Sequence, residues 1–162
     1  MKLSELKSGD TLKIPLSWLQ QQPDPARAAS VSGQVMLLSG RDSSKRSLTA
    51  GTLIRVGDEV ISYAGSATIE LADGSVIRLS PNSRLAFNRL TRYGKSGMVD
   101  TRLRLSDGEL ETQVEPFVED GSRFEIETPS AVAAVRGTMF TLKTDTTGTD
   151  LRVTDGRVAF GL

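Results

Sequence analysis

The chain of 162 residues contains no cysteine and no histidine. The first absence excludes disulfides and thiolate chemistry. It suits either the cytosol or the periplasm and does not choose between them. The second excludes Ser-His-Asp and Cys-His catalysis and leaves zinc without its usual ligands. A hydrolase built from this chain would have to work with carboxylates or lysine. Aromatic residues make up only 5%, too few for a base-stacking surface. Formal net charge is zero, so no global basic field recruits nucleic acid and no acidic tail exists. No apolar run is long enough to span a membrane as a helix. The opening stretch Met1 to Gln20 is too polar for a signal peptide. An exported form of this protein would therefore carry its export signal outside this sequence.

What remains is an ordinary globular composition, 38% hydrophobic and 25% charged, enough for one good core. Residues 1–19 stand apart. Leu6-Lys-Ser-Gly-Asp-Thr-Leu-Lys-Ile-Pro15 predicts a turn at Ser8-Gly9 and a short strand. This resembles the last residues of a LysM repeat and covers only its tail. Residues 20–28, rich in Pro and Gln, read as a linker with extended geometry at each proline.

From Ala29 to Leu162 the apolar residues recur with period two. Val31, Val35 and Leu37 alternate with polar or flexible neighbours. Runs follow at Leu53 to Ile61, Ala67 to Leu71 and Ser75 to Ser80. Turns are predicted at Gly57-Asp58 and Pro81-Asn-Ser83. Asp-Gly hairpin turns are predicted at 73–74, 107–108 and 155–156, because both turn positions favour φ > 0. Only Ala131 to Val135 could form a helical turn, and its flanking Val and Thr favour strand. The expected fold is all-β, a β-solenoid-like domain or a β-sandwich of short antiparallel strands and hairpins, with almost no helix.

Charge is segregated. Arg78, Arg84, Arg89, Arg92, Lys95, Arg102 and Arg104 precede an acidic stretch of Asp107, Glu109, Glu111, Glu115, Glu119, Asp120, Glu125 and Glu127. One reading is a basic surface for an anionic glycan, a lipid headgroup or a protein. The other is cross-strand pairing, with Arg102 and Arg104 facing Glu109 and Glu111 across a hairpin turned at Asp107-Gly108, each pair contributing about 0.2–1 kcal/mol. Tyr93-Gly-Lys-Ser-Gly97 reads as the tip of a long exposed loop. Arg89, Arg92, Tyr93 and Lys95 are the candidate partner-binding residues, since Tyr and Arg often anchor interfaces.

Three other chemistries fail on spacing. Gly94-Lys95-Ser96 lacks the preceding glycine and the following helix of a phosphate-binding loop. Glu109, Glu111 and Glu115 read as polar residues of a solvated strand face, not a glycosidase pair. Asp145-Thr-Thr-Gly-Thr-Asp150 does not fit a calcium loop and reads as a hairpin turn. The expectation is no catalytic residue, no metal and no cofactor.

Four ordered motifs point to a family. Gly74-Ser-Val-Ile-Arg-Leu-Ser-Pro-Asn-Ser-Arg-Leu85 is followed by Leu105-Ser-Asp-Gly-Glu-Leu-Glu-Thr-Gln-Val114. Phe124-Glu-Ile-Glu-Thr-Pro then leads to Val135-Arg-Gly-Thr-Met-Phe140, and Val153-Thr-Asp-Gly-Arg-Val158 closes the series. Together they resemble the FecR domain over about residues 30–160. The resemblance implies an extracytoplasmic module of the bacterial envelope. The best-known members pass a signal from an outer-membrane receptor to a sigma factor, and carry an anti-sigma segment and a transmembrane helix before the periplasmic domain. This sequence shows neither of those segments. With its LysM-like start it resembles the branch in which LysM holds the protein on peptidoglycan and FecR serves as an interaction module. The partner implied is an envelope protein or an anionic glycan.

The residues matching the signature are Thr128, Pro129, Val135, Arg136, Gly137, Thr138 and Phe140, and they read as structural. Pro129 would fix the entry to a strand, and Gly137 would take a bulge or positive-φ position. Val132, Val135, Met139 and Leu142 are core candidates, subject to the change of face such a bulge would cause. Arg136 is expected to brace turn carbonyls or a nearby carboxylate.

Overall fold

The computed structural model describes residues 21–93, 98–114 and 123–161; along 21–23, 92, 93, 98, 136–138 and 155–160 it describes the backbone alone. All regular structure in these residues is strand: β1 Gln21–Pro23, β2 Ala26–Ser32, β3 Val35–Leu38, β4 Lys45–Ser47, β5 Leu53–Ile54, β6 Glu59–Ser62, β7 Ser66–Glu70, β8 Val76–Leu79, β9 Ser83–Tyr93, β10 Met98–Gln113, β11 Arg123–Glu127, β12 Val132–Asp145 and β13 Gly148–Gly161. The all-β expectation holds. The LysM-like tail lies outside the described residues. The stretch read as a linker is drawn into the sheet, because β1 pairs with the end of β9, and Ala26 and Ala28 are fully buried.

The thirteen strands form one curled sheet, ordered β4-β3-β6-β9-β10-β8-β7-β2-β5, with β11, β12 and β13 branching from β10. Strand β10 is the hub. Its first half lies between β9 and a parallel β11, and its second half between β8 and β12. Thus Leu103 sits between Phe87 and Ile126, and Leu110 between Leu79 and Leu142. All of these side chains are buried in a single apolar core. Each is worth about 1.5–3 kcal/mol in area removed from water.

Three of the local expectations can be compared with this arrangement. Asp73-Gly74 does turn between β7 and β8, with the Asp73 carboxylate accepting the Ser75 N–H at 2.9 Å. Asp107-Gly108 does not turn. It lies inside β10, where the register to β9 shifts between Leu105 and Asp107. Gly108 has φ +100, and a Cβ there would stand 2.1 Å from the Ser83 hydroxyl. The glycine is required by the close approach of β9's first residue, whose hydroxyl accepts the Glu109 N–H at 3.0 Å. Asp155-Gly156 likewise lies within β13; the turn is at Asp145–Gly148, as the reading of that segment expected.

Irregularities of this kind reverse the phase of burial. Among the apolar core residues, β9 supplies Leu85, Phe87, then Leu90; β10 Leu103, Leu105, then Leu110; β12 Val135, then Phe140 and Leu142. The β12 reversal coincides with a register shift between Arg136 and Met139 that brackets Gly137. It explains why Met139 is 36% exposed while Val135 and Leu142 are buried; Val132, 39% exposed, lies before the bulge and three residues from Val135, so it faces away from the core by simple alternation. Strands β10, β12 and β13 are also longer than short hairpins would give, since bulges let one strand change face and partners without a turn.

Candidate interaction surface

The outer face of β9, β10 and β11 carries the segregated charges, and the topology brings opposite signs together. Arg102 and Arg104 stand in register with Glu125 and Glu127 of the parallel strand β11. The Arg104–Glu127 ion pair measures 3.6 Å, and Arg102 lies 3.7 Å from Asp100 and 4.0 Å from Glu125. Cross-strand pairing is therefore correct in kind, but the partners expected were wrong. No hairpin exists at Asp107-Gly108 to bring Glu109 and Glu111 opposite. Glu111 instead pairs with Arg78 at 3.3 Å, and Glu109 sits in register with Lys143. Arg84 donates to Glu59 at 2.6 Å and Arg27 to Glu70 at 3.1 Å. Exposed pairs of this type contribute about 0–1 kcal/mol each. Their main consequence is that Arg78, Arg84, Arg102 and Arg104 are locally neutralised.

Arg89 is not in a loop. It lies on β9 opposite Arg102, and its guanidinium stands 3.0 Å from the nearly buried Asp100 carboxylate. Of the loop expected from Arg89 to Val99, residues 89–93 and 98–99 are strand, because β9 continues to Tyr93 and β10 begins at Met98; residues 94–97 lie outside the described residues. Arg92 and Tyr93 occupy the last two positions of β9. Their backbones pair with Val99 and Met98 on one side and with Gln22 and Gln21 of β1 on the other. Lys95 lies outside the described residues. Arg89, Arg92 and Tyr93 thus lie on a strand paired with β10 rather than in an exposed loop.

The signature residues are used inside the fold where their side chains are described. Pro129 and Ser130 form the turn between β11 and β12. Thr128 organises it: its N–H donates to the Ala131 carbonyl at 2.8 Å, and its hydroxyl accepts the Ala131 N–H at 3.0 Å. The same hydroxyl meets that of Thr149 at 2.7 Å, tying the turn to β13. Val135 and Phe140 are core residues. Arg136, Gly137 and Thr138 lie on β12 at the bulge; the brace expected of the Arg136 side chain lies outside the described residues.

Sequence reasoning missed Asp58 as more than a turn residue. One of its carboxylate oxygens accepts the Arg55 N–H at 3.0 Å and the other the Gly40 N–H at 3.0 Å. The first partner was legible in Gly57-Asp58 as a local turn; the second lies 18 residues away and has no sequence signal. Asp145, considered as a cation ligand, accepts the Thr147 N–H at 2.7 Å and the Gly148 N–H at 3.3 Å. The Thr147 hydroxyl and then its N–H hold the Asp145 carboxyl below its usual range. Among the described residues, no three carboxylates are placed to share a metal ion, and no helix is long and apolar enough to cross a membrane. A hollow lined by Asp24, Asp73, Leu90, Thr91 and Thr101 has room for about one water molecule.

No curated protein matches the sequence. Two solved structures of a Parabacteroides distasonis protein described as a "putative anti-sigma factor" are similar to this chain. They show 16% and 18% identity with TM-scores of 0.43 and 0.42 over 64% of this chain. The matched region spans 50% of that protein. The family model described as FecR protein matches residues 58–159. That span runs from Asp58, through the β10 hub and the Thr128 turn, into β13, and it is more than half of the sequence: the chain belongs to the FecR family.

Proposed function

We propose that this protein is a non-enzymatic, extracytoplasmic interaction module of the bacterial cell envelope, acting in the periplasm on another envelope protein or an anionic glycan. The observation that carries this reading is the family match over residues 58–159. In support, Glu111, a carboxylate that a hydrolytic reading would need, is paired with Arg78 on an exposed face. Residues 1–19 would be the end of a LysM-like segment that keeps the module near peptidoglycan. The partner would meet the end of the β9–β10 hairpin, with Arg92, Tyr93 and Lys95 making contact and Arg89 holding the hairpin through Asp100.

The test is a titration of the purified protein against peptidoglycan and against envelope protein fractions. Binding should fall as salt rises, because exposed charges are screened over about 10 Å at 0.1 M salt. Arg92→Glu and Tyr93→Ala should each weaken it. Unchanged binding in both variants removes the hairpin end as the contact, and turnover of peptidoglycan overturns the non-enzymatic reading.

Family membership favours a second reading, in which the domain reports on an upstream receptor to a sigma factor. A sigma-dependent reporter that responds to deletion of this gene would select it.

A further inference from the structure

The sheet protects its edges unequally. Strand β4 is an edge of three residues carrying exposed Lys45 and Arg46, β5 is an edge of two residues, and β1 is an edge of three residues ending at Pro23. Short length, lysine and proline all discourage the addition of a foreign strand. Strand β13 has none of these protections. It runs 14 residues without lysine or proline and, among the described residues, pairs only with β12.

Its inward face is also unfinished. Leu151 stands opposite the buried Leu142 and packs against the core, and Val153 stands opposite the buried Phe140. Yet Val153 is 41% exposed, because among the described residues no strand lies beyond it to continue the apolar layer. On the outward face, Asp150 and Arg152 are exposed and stand opposite Lys143 and Thr141.

We propose that β13 pairs with β13 of a second copy of this chain, antiparallel and centred on Leu151. The segment Asp150-Leu151-Arg152 is complementary to itself in that register. Leu151 meets Leu151 of the second copy on the inward face. Asp150 meets Arg152 of the second copy on the outward face, and Arg152 meets Asp150. Val153 falls opposite Thr149 of the second copy, which covers its exposed edge. Paired residues on neighbouring antiparallel strands share a face, so both sets of contacts form at once. The two-fold axis makes the interface isologous, so the same segment of each copy is used up in the pair. A seam of this length is small, and its dissociation constant should lie in about the micromolar to millimolar range.

Sedimentation velocity across concentration tests the pairing. The unaltered protein should pass from monomer to dimer, with weaker association at high salt. Arg152→Asp places two aspartates opposite each other at each end of the seam and should weaken dimerisation at least about tenfold. Asp150→Arg should do the same. Combining both substitutions reverses each pair and should restore the dimer. A far-UV spectrum and melting temperature close to the unaltered protein's establish that each variant is folded. A protein that stays monomeric at millimolar concentration overturns the proposal. So does a dimer indifferent to the single swaps or not recovered by the double one. Capture of a different protein's strand at β13 by an otherwise monomeric chain would overturn it in favour of a heterologous partner.

Discussion

The first part of the sheet, β2 to β8, and the second, β9 to β13, solve the same packing problem by different means. Strands β2 to β8 are two to seven residues long and, apart from one register shift in β2 between Ala28 and Ser30, change direction at turns. Strands β9, β10, β12 and β13 are eleven to sixteen residues long and change face at bulges or other register shifts. Both parts contribute to one apolar core. A turn is local: Asp73 caps its own reversal through Ser75. A bulge is not: the one at Gly108 exists because Ser83, from the start of β9, sits where a side chain would go. The comparison teaches that short strands are written in neighbouring residues, while long ones are shaped by what packs beside them.

The sharpest way to break the long-stranded part is Gly108→Val. Positive φ and a Cβ inside Ser83 act together, so unfolding free energy should drop by about 3 kcal/mol or more in denaturant titration. Gly148→Val is the control: φ is +153 but a Cβ there meets nothing within 4 Å. Its cost should be nearer about 1 kcal/mol, from backbone strain alone. Equal losses would mean that the close approach of Ser83 has no energetic role.

In the short-stranded part the corresponding weak point is Asp58→Ala, which leaves the Arg55 and Gly40 N–H groups without their acceptor. A loss of about 1–3 kcal/mol is expected, read as a lower denaturation midpoint with an unchanged slope. A change in slope would show instead that the two parts unfold separately, against the single shared core.

The smallest expected effect is at the β12–β13 turn. A carboxyl lowered on folding stabilises the native state above its unfolded pKa, and that contribution fades as pH falls through the lowered value. Asp145 should therefore titrate below its ordinary 3.8 when followed by NMR. Thr147→Val should move it upward by removing the hydroxyl donor. A midpoint unmoved by the substitution would mean the backbone amides alone hold the carboxylate.

The legibility of the molecule follows the same division. Period-two runs and the turns at Gly57-Asp58, Asp73-Gly74 and Asp145–Gly148 could be read directly, since each depends on a few adjacent residues. The Asp-Gly pairs at 107–108 and 155–156 carry the same signal yet lie within strands, because the chain on either side finds partners that keep it extended. Among the candidate contacts, the pairing of Arg102 and Arg104 with carboxylates was legible from charge alternation. Their true partners, Glu125 and Glu127, required the parallel placement of β11 beside β10. Arg89 looked like a loop residue because nothing in Arg89-Leu-Thr-Arg-Tyr93 announces a strand that ends only at Tyr93.

By itself the sequence determined that strand would be the regular structure, that cysteine and histidine chemistry was closed to this protein, and that the chain resembles the FecR family. These follow from side-chain alternation, from the presence or absence of residue types, and from short ordered motifs. Only the tertiary structure decided which residues face the core beyond each bulge, which arginine meets which carboxylate, and which edge of the sheet stays open. Those outcomes depend on neighbours distant in sequence: Ser83 against Gly108, Glu127 beside Arg104, and the exposed flank of Val153 beyond Phe140. Local periodicity carries no information about them.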